Sequence, residues 1–321
     1  MTIRRALPKS YIPGGNFDSK LDKEDSISEC RIPEMPLVES VFHPSDFSKA
    51  SQNAFAHALA IACRRKAKFT VFHAGGKLAG KEWTHFPAVR ATLERWGVLQ
   101  EGSPRSAVFE ALGVAVEKID VAHSNPLRAC LNYLEKYPTD LIVLATEGRE
   151  GVPLWIKRSV AEELSRQSKT MTLFVPGASH GFVSSRKGEL TLCKILIPVD
   201  HKPCPQAAIQ FATRAAKLLG DDVVEITLVH ISNSSEMPDI DLPEDPSWSW
   251  KKLHRQGEVV DEIIKAANET SADLIAMVTA GHEGILDALR GSTSEQILRH
   301  SPCPVLAVPN AWVNAVARGE G

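Results

Sequence analysis

Short runs of apolar and β-branched residues alternate along this chain with longer stretches in which apolar residues return every three or four positions. In the C-terminal half the short runs are "KILIPV", "VEITLVH", "SWSWKKL", "DLIAMVT" and "VLAVP". Between the first two, "PQAAIQFATRAAKLLG" sets Ala208, Phe211, Ala212, Ala215, Leu218 and Leu219 on one stripe, with Gly220 as the predicted helix stop. A second helix is predicted from about Glu258, carrying Val259, Ile263, Ile264 and Ala267. Strands alternating with helices imply a parallel sheet with right-handed crossovers. Runs as apolar as "DLIAMV" predict strands covered on both faces.

The pattern occurs twice. "DLIVLATEGREG" (140–151) returns as "DLIAMVTAGHEG" (273–284), and the same interval carries Ser159 to Ser292 and Pro176 to Pro309. Upstream, "VFHPSD" ending at Asp46 matches "ILIPVD" ending at Asp200, and "FTVFHA" ending at Ala74 matches "ITLVHI" ending at Ile231. The interval changes between Ala74 and Val114, which marks one insertion in the first copy. The predicted organisation is an N-terminal arm (1–35), a first domain (36–176) with a helical insertion at about 77–112, a linker (177–190), a second domain (191–311) and a tail (312–321). Within the insertion, Val89, Leu93 and Trp96 share a helical face, and Pro104 after Ser103 predicts a second helix start. The insertion reads as a helical excursion packed on its domain, with a partner surface as the alternative.

Charge narrows the partners. Lys+Arg of 37 against Asp+Glu of 39 leaves a net charge of −2, so no broad basic surface is available to grip nucleic acid or an anionic membrane. No apolar run reaches the ~20 residues that span a bilayer, and "MTIRRALPKSYIPGGNFDSK" lacks the apolar core of a secretory signal. The 6 cysteines form no C-x-x-C and no zinc spacing. The expectation is a reduced, cytoplasmic protein with no metal site of its own.

In an open α/β sheet, ligands sit beyond the carboxyl ends of the strands where strand order reverses. Asp200 ends one such strand and Thr279–Gly281 follow another, so a carboxylate and a glycine loop could face one crevice. A carboxylate there can accept from a ribose hydroxyl or an adenine amine, and a helix N-terminus offers N–H groups to phosphate. Structural readings compete at each position. Asp46 and Asp200 equally suit a brace for the turn after the first strand. Ser292 with Glu295, and Ser159 with Glu162, fit a capping box. His73 and His230 suit hydrogen-bonded strand positions better than ligands. Trp248 and Trp250 alternate in a strand and suit a sheet cover, with a ligand-stacking surface as the weaker alternative, and "DIDLPEDP" suits a solvated loop, with divalent-ion binding as its alternative.

Both copies resemble universal stress protein domains, over about 36–176 and 192–310. The resemblance implies five parallel strands in the order 3-2-1-4-5 per domain, hence two tandem doubly wound α/β domains packed as an intramolecular pseudo-dimer through "TLFVP" and "VLAVP". ATP-binding members carry an aspartate after strand one and G-x2-G-x9-G-[ST] after strand four. The second copy reads Val278, then Gly281, nine residues, and Gly291-Ser292, departing only at the first glycine. The first copy reads Ala145, then Gly148, nine residues, and Arg158-Ser159, with two glycines gone. The resemblance therefore implies a nucleotide site at Asp200, Ile231, Met277, Gly281, Gly291, Ser292 and Thr293, with ATP and Mg²⁺ as ligands. It also implies a degenerate site at Asp46, Gly148, Arg158 and Ser159. A regulatory stress protein with an unidentified protein partner and a homodimer as a further option follows; slow ATP hydrolysis stays compatible with the residues, although no convincing general base stands beside the phosphate loop and His282, the nearest candidate, reads better as an exposed loop histidine. The alternative is an interaction protein that binds no nucleotide. Enzyme chemistry is disfavoured, because "VDHKPCPQ" and "SDFSKASQ" carry neither H-x-G-H nor S-G-G-x-D-S, and no Walker A lysine loop exists.

Overall fold

The computed structural model describes residues 38–75, 86–146, 159–177, 181–201, 205–234, 236–279 and 293–309. The first half contains β1 (Ser40–Pro44), α1 (Lys49–Arg65), β2 (Lys68–Ala74), α2 (Val89–Arg95), α3 (Ala107–Leu112), β3 (Val116–Val121), α4 (Pro126–Lys136), β4 (Leu141–Thr146), α5 (Ser159–Ser168) and β5 (Met171–Pro176). The second contains β6 (Leu192–Pro198), α6 (Gln206–Leu219), β7 (Gly220–Ile231), β8 (Trp248–Arg255), α7 (Val259–Thr270), β9 (Leu274–Thr279), α8 (Thr293–His300) and β10 (Val305–Pro309).

All ten strands form one sheet in the order β3-β2-β1-β4-β5-β10-β9-β6-β7-β8. Each half has the order 3-2-1-4-5 anticipated from the resemblance, and the two orders meet back to back. Pairing is parallel within each half and antiparallel where β5 meets β10, with Phe174 opposite Val305, Leu173 opposite Leu306 and Thr172 opposite Ala307. Two equivalent edge strands therefore complete each other, which removes two exposed edges.

Alternation along each strand feeds two cores. Val41 and Ile195 point into one, with α1, α6 and the insertion; Phe42 and Leu196 point into the other, with α4, α5, α7 and α8. This two-sided burial is why the strands read as continuous apolar runs. Each half is also tied at the amino end of its sheet by an aspartate from the repeated "DLI" motif. Asp140 Oδ2 accepts from the Glu39 and Ser40 N–H groups and from Ser40 Oγ (3.0, 2.8 and 2.7 Å). Asp273 Oδ2 accepts from the Cys193 and Lys194 N–H groups (2.9 and 2.8 Å).

Three local features differ from the sequence expectation. First, α3 begins at Ala107 rather than at Pro104, because Ala107 N–H donates to the Pro104 carbonyl (3.1 Å) in a preceding turn. Second, α6 does stop before Gly220, but the glycine has φ −77° and opens β7 in extended conformation. A Cβ at this position would collide with the Ala216 carbonyl oxygen and Val224, so close approach selects glycine there. Third, the linker region is ordered over 182–191. Ser184 N–H donates to the Glu189 carbonyl (2.9 Å) and Thr191 N–H to the Phe182 carbonyl (2.9 Å), closing a small hairpin.

That hairpin is docked on the first half at two points. Trp96 Nε1 donates to the Ser185 carbonyl (3.1 Å). Phe182, 1% exposed, donates its N–H to His57 Nε2 (3.2 Å). The insertion thus packs on its own domain, with Phe86, Val89, Leu93, Leu99 and Val108 buried, and its Trp96 also anchors the connection between halves. In the second half the described residues of the equivalent stretch after β7 form no helix. It is a loop whose Met237, Ile240 and Leu242 pack on the core, and the Gln206 amide brackets Asp241 by donating to its carbonyl (2.8 Å) and accepting from its N–H (3.3 Å).

Candidate functional site

The strand order reverses between β6 and β9 in the second half and between β1 and β4 in the first. Beyond β6 and β1 stand Asp200 and Asp46, and one device presents both. The N–H of the preceding residue donates to the second strand: Ser45 to the Phe72 carbonyl (2.8 Å), Val199 to the Val229 carbonyl (2.9 Å). The carbonyl of that same residue then accepts from the histidine closing the second strand, His73 Nδ1 on Ser45 and His230 Nδ1 on Val199, both at 2.9 Å. The repeated histidines, 8% and 2% exposed, are therefore strand clamps that aim the aspartates. A carbonyl can only accept, so each carries its proton on Nδ1.

From this common start the two sites diverge. Asp200 is exposed, its Oδ1 accepting only the neighbouring His201 N–H (2.7 Å) among the described hydrogen bonds. Asp46 is partly buried; its Oδ1 accepts the Ser48 N–H (3.0 Å) in a turn, and its Oδ2 is buried with no hydrogen-bond partner. Ser48 Oγ in turn caps α1 through the Ser51 N–H (3.2 Å). The brace reading thus describes Asp46, whereas Asp200 presents its carboxylate to solvent.

Around Asp200, Ile231 at the end of β7 is half-buried and Met277 in β9 is 8% exposed. Val278 and Thr279 follow Met277 with partial exposure, and Thr279 Oγ1 donates to the Val308 carbonyl (3.4 Å). Thr293 is exposed as the first residue of α8, so its N–H group lies in the first turn, which has no acceptor within the helix itself. The structure thus sets Asp200, Ile231, Met277 and Thr293 at the carboxyl ends of β6, β7 and β9 or at the following helix start. Gly281, His282, Gly291 and Ser292, and in the first half Gly148 and Arg158, lie outside the described residues. Ser159 opens α5, and its side chain lies outside them too.

The first half holds buried polar groups that the repeat did not flag. His43, 0% exposed, donates from Nδ1 to the Val143 carbonyl (2.9 Å), and Ser51 Oγ lies 3.4 Å from its Nε2 and 2.8 Å from Ser45 Oγ. His57, also 0% exposed, donates from Nδ1 to the Asn53 carbonyl (2.9 Å) while its Nε2 accepts from Phe182. Burial pushes both imidazoles down to about 4, so both are neutral at pH 7. In the repeat their counterparts are Ile197 and Phe211, and that mismatch of a histidine with an apolar residue is the signal that could have found them.

Other candidate chemistry is structural. Trp248 and Trp250 lie edge to face at 6.4 Å and pack on the core, covering the sheet. The thiols of Cys63, Cys130 and Cys303 are pushed up by burial to about 11, 12 and 12, which leaves them unreactive near neutral pH. Among the described residues no group of three or more His, Cys, Asp or Glu side chains could hold a metal ion, and no helix is long and apolar enough to cross a membrane.

Comparison with known proteins points one way. The model of the universal stress protein family matches residues 40–176 and 245–309, together more than half of the chain. A curated universal stress protein of Methanocaldococcus jannaschii is 30% identical over 150 residues, 38% of this chain and 85% of that protein. The crystal structure of a universal stress protein from Archaeoglobus fulgidus matches 85% of this chain and 99% of its own, with a TM-score of 0.55 at 16% identity, a likeness of fold. A universal stress protein crystallised in complex with cAMP matches 44% of this chain and all of its own, with 21% identity and a TM-score of 0.29.

Proposed function

The chain belongs to the universal stress protein family, and we propose that its second half binds an adenine nucleotide, ATP with Mg²⁺, as the sensor of a non-catalytic stress-response regulator. The observation that carries the proposal is the contrast at the two repeated aspartates: Asp200 is exposed beyond β6, whereas Asp46 is drawn into its own turn. Asp200 would accept hydrogen bonds from the ribose or base, with Ile231 and Met277 along the apolar face of the adenine. Gly281, Gly291, Ser292 and Thr293 would surround ribose and phosphates at the start of α8, where unpaired N–H groups favour anions. With no cluster of carboxylates among the described residues, Mg²⁺ would arrive on the phosphate oxygens.

Equilibrium dialysis of nucleotide-stripped protein against Mg-ATP tests this. Asp200→Ala is expected to weaken binding at least ~10-fold, the loss of one charge-assisted hydrogen bond. Unchanged affinity in that variant would reject Asp200 as a ligand residue. One observation favours the second reading, an interaction protein without a nucleotide: Val278 and Ala145 replace the first motif glycine in both halves. Under that reading the wild-type protein retains no nucleotide in the same dialysis.

A further inference from the structure

The first half closes its crevice with its own side chains. Phe47, the residue after Asp46, has φ 64°, in the left-handed region that disfavours a non-glycine residue. In this conformation its ring stacks on His73, with centroids 4.3 Å apart and planes at 22°. Phe86 meets Phe47 edge-on at 5.3 Å and 65°, and is itself 5% exposed. Lys118 Nζ lies 5.9 Å from the Phe86 ring centroid, so β3 also borders the cluster. Beside it, the buried Asp46 Oδ2 has no hydrogen-bond partner.

None of these features recurs among the described residues of the second half. The counterpart of Phe47 is His201, which is exposed and meets His230 edge-on at 5.8 Å and 86° instead of stacking on it. Phe86 belongs to the insertion, so it has no counterpart at all. Aromatic rings stacked at a strand-end histidine fill the kind of space a flat ligand ring would otherwise use.

We infer that Phe47 and Phe86 form a built-in plug that occupies, in the first half, the place the second half keeps for a purine ring. The first half is thereby self-occupied and its specificity is set by two phenylalanines, not by the phosphate loop alone. This inference rests on reading the second-half crevice as a nucleotide site. The backbone strain at Phe47 is consistent with a residue held in place by the packing of the insertion.

The plug concerns the base side, so the probe is adenosine, which carries no phosphate to meet Arg158. Equilibrium dialysis compares the full wild-type chain with the chain carrying Phe47→Gly and Phe86→Ala, so that the gain in uptake reports on the first half. The wild type is expected to take up at most one adenosine per chain, and the opened variant should take up one more. A folded opened variant that takes up no more adenosine than the wild type overturns the plug. If circular dichroism shows that Phe86→Ala has unfolded the chain, Phe47→Gly carries the test, since glycine accepts φ 64° without strain; a folded Phe47→Gly protein with no gain overturns the plug equally. A wild-type chain that fails to bind Mg-ATP, while the opened variant takes adenosine, defeats the second-half reading and leaves the plug standing. One ATP on the wild type with no gain in the opened variant defeats the plug alone.

Discussion

The two halves share a strand order, a histidine clamp and an aspartate beyond the first strand, yet they bury different groups around that aspartate. In the first half the clamp ends in a closed cluster: Asp46 turned onto Ser48, Phe47 stacked on His73, Phe86 brought in by the insertion, and His43 and His57 buried as neutral rings. In the second half Ile197 and Phe211 stand at the two buried histidine positions, and Asp200 faces solvent. One scaffold therefore carries an exposed aspartate in one half and a packed, polar-braced cluster in the other. Duplication allows this division, because the shared sheet remains intact while one copy packs side chains around its aspartate.

The largest expected effect is at the place where the halves are equivalent. Leu173 and Leu306 face each other at the centre of the β5–β10 pairing, and both are buried. Leu173→Asp puts a charge into that seam and is expected to cost more than ~4 kcal/mol, measured as loss of the urea midpoint. A cost below about 1 kcal/mol would mean that the seam contributes little to the stability of either half.

Acid should separate the halves next. His43 and His57 have an ordinary value of 6.5 and folded values of about 4, so the unfolded chain binds more protons between these limits. Stability present above pH 6.5 is therefore lost as the pH falls towards 4, by up to about 3 kcal/mol for each ring. Hydrogen exchange at pH 7 and pH 4.5 is expected to show the loss in α1, β1 and the 182–191 hairpin, where these rings make their bonds. Equal loss of protection in α6 and β6 would contradict this assignment. Below pH 4 both states are protonated at these sites, and no further loss from them is expected.

A smaller effect compares the paired aspartates at the amino ends of the strands. Asp140 accepts three hydrogen bonds on one oxygen and Asp273 accepts two. Asp140→Asn and Asp273→Asn are each expected to cost about 1–2 kcal/mol, with the first the larger. Thermal unfolding of the two variants checks the order; a larger loss at Asp273 would reverse the comparison.

The fold was legible because repetition and period reinforced each other. Each strand run appeared twice, and the apolar stripe of α6 was long enough to fix its exposed face. The aspartates of the "DLI" runs were visible as repeated letters, but their role needs the register that brings Asp140 to Ser40 and Asp273 to Lys194. At Gly220 the glycine was visible while its reason was not, since crowding against Ala216 and Val224 is a tertiary fact. The 182–191 hairpin was hidden in a polar linker composition, because its order comes from Phe182 seating on His57. On the site side, Asp46 and Asp200 were found as a pair, and only the structure shows one in a turn and the other exposed. The Phe47–His73–Phe86 cluster joins three stretches of chain, one of them in an insertion with no repeat partner, so no local pattern signals it.

The most direct measurement is the stoichiometry of Mg-ATP on nucleotide-stripped, full-length protein by calorimetry, repeated with Gly291→Arg, which copies Arg158 into the second half. The account predicts one site per chain in the wild type and none in a folded Gly291→Arg variant. Two sites per chain, or one site that survives the substitution, would contradict it.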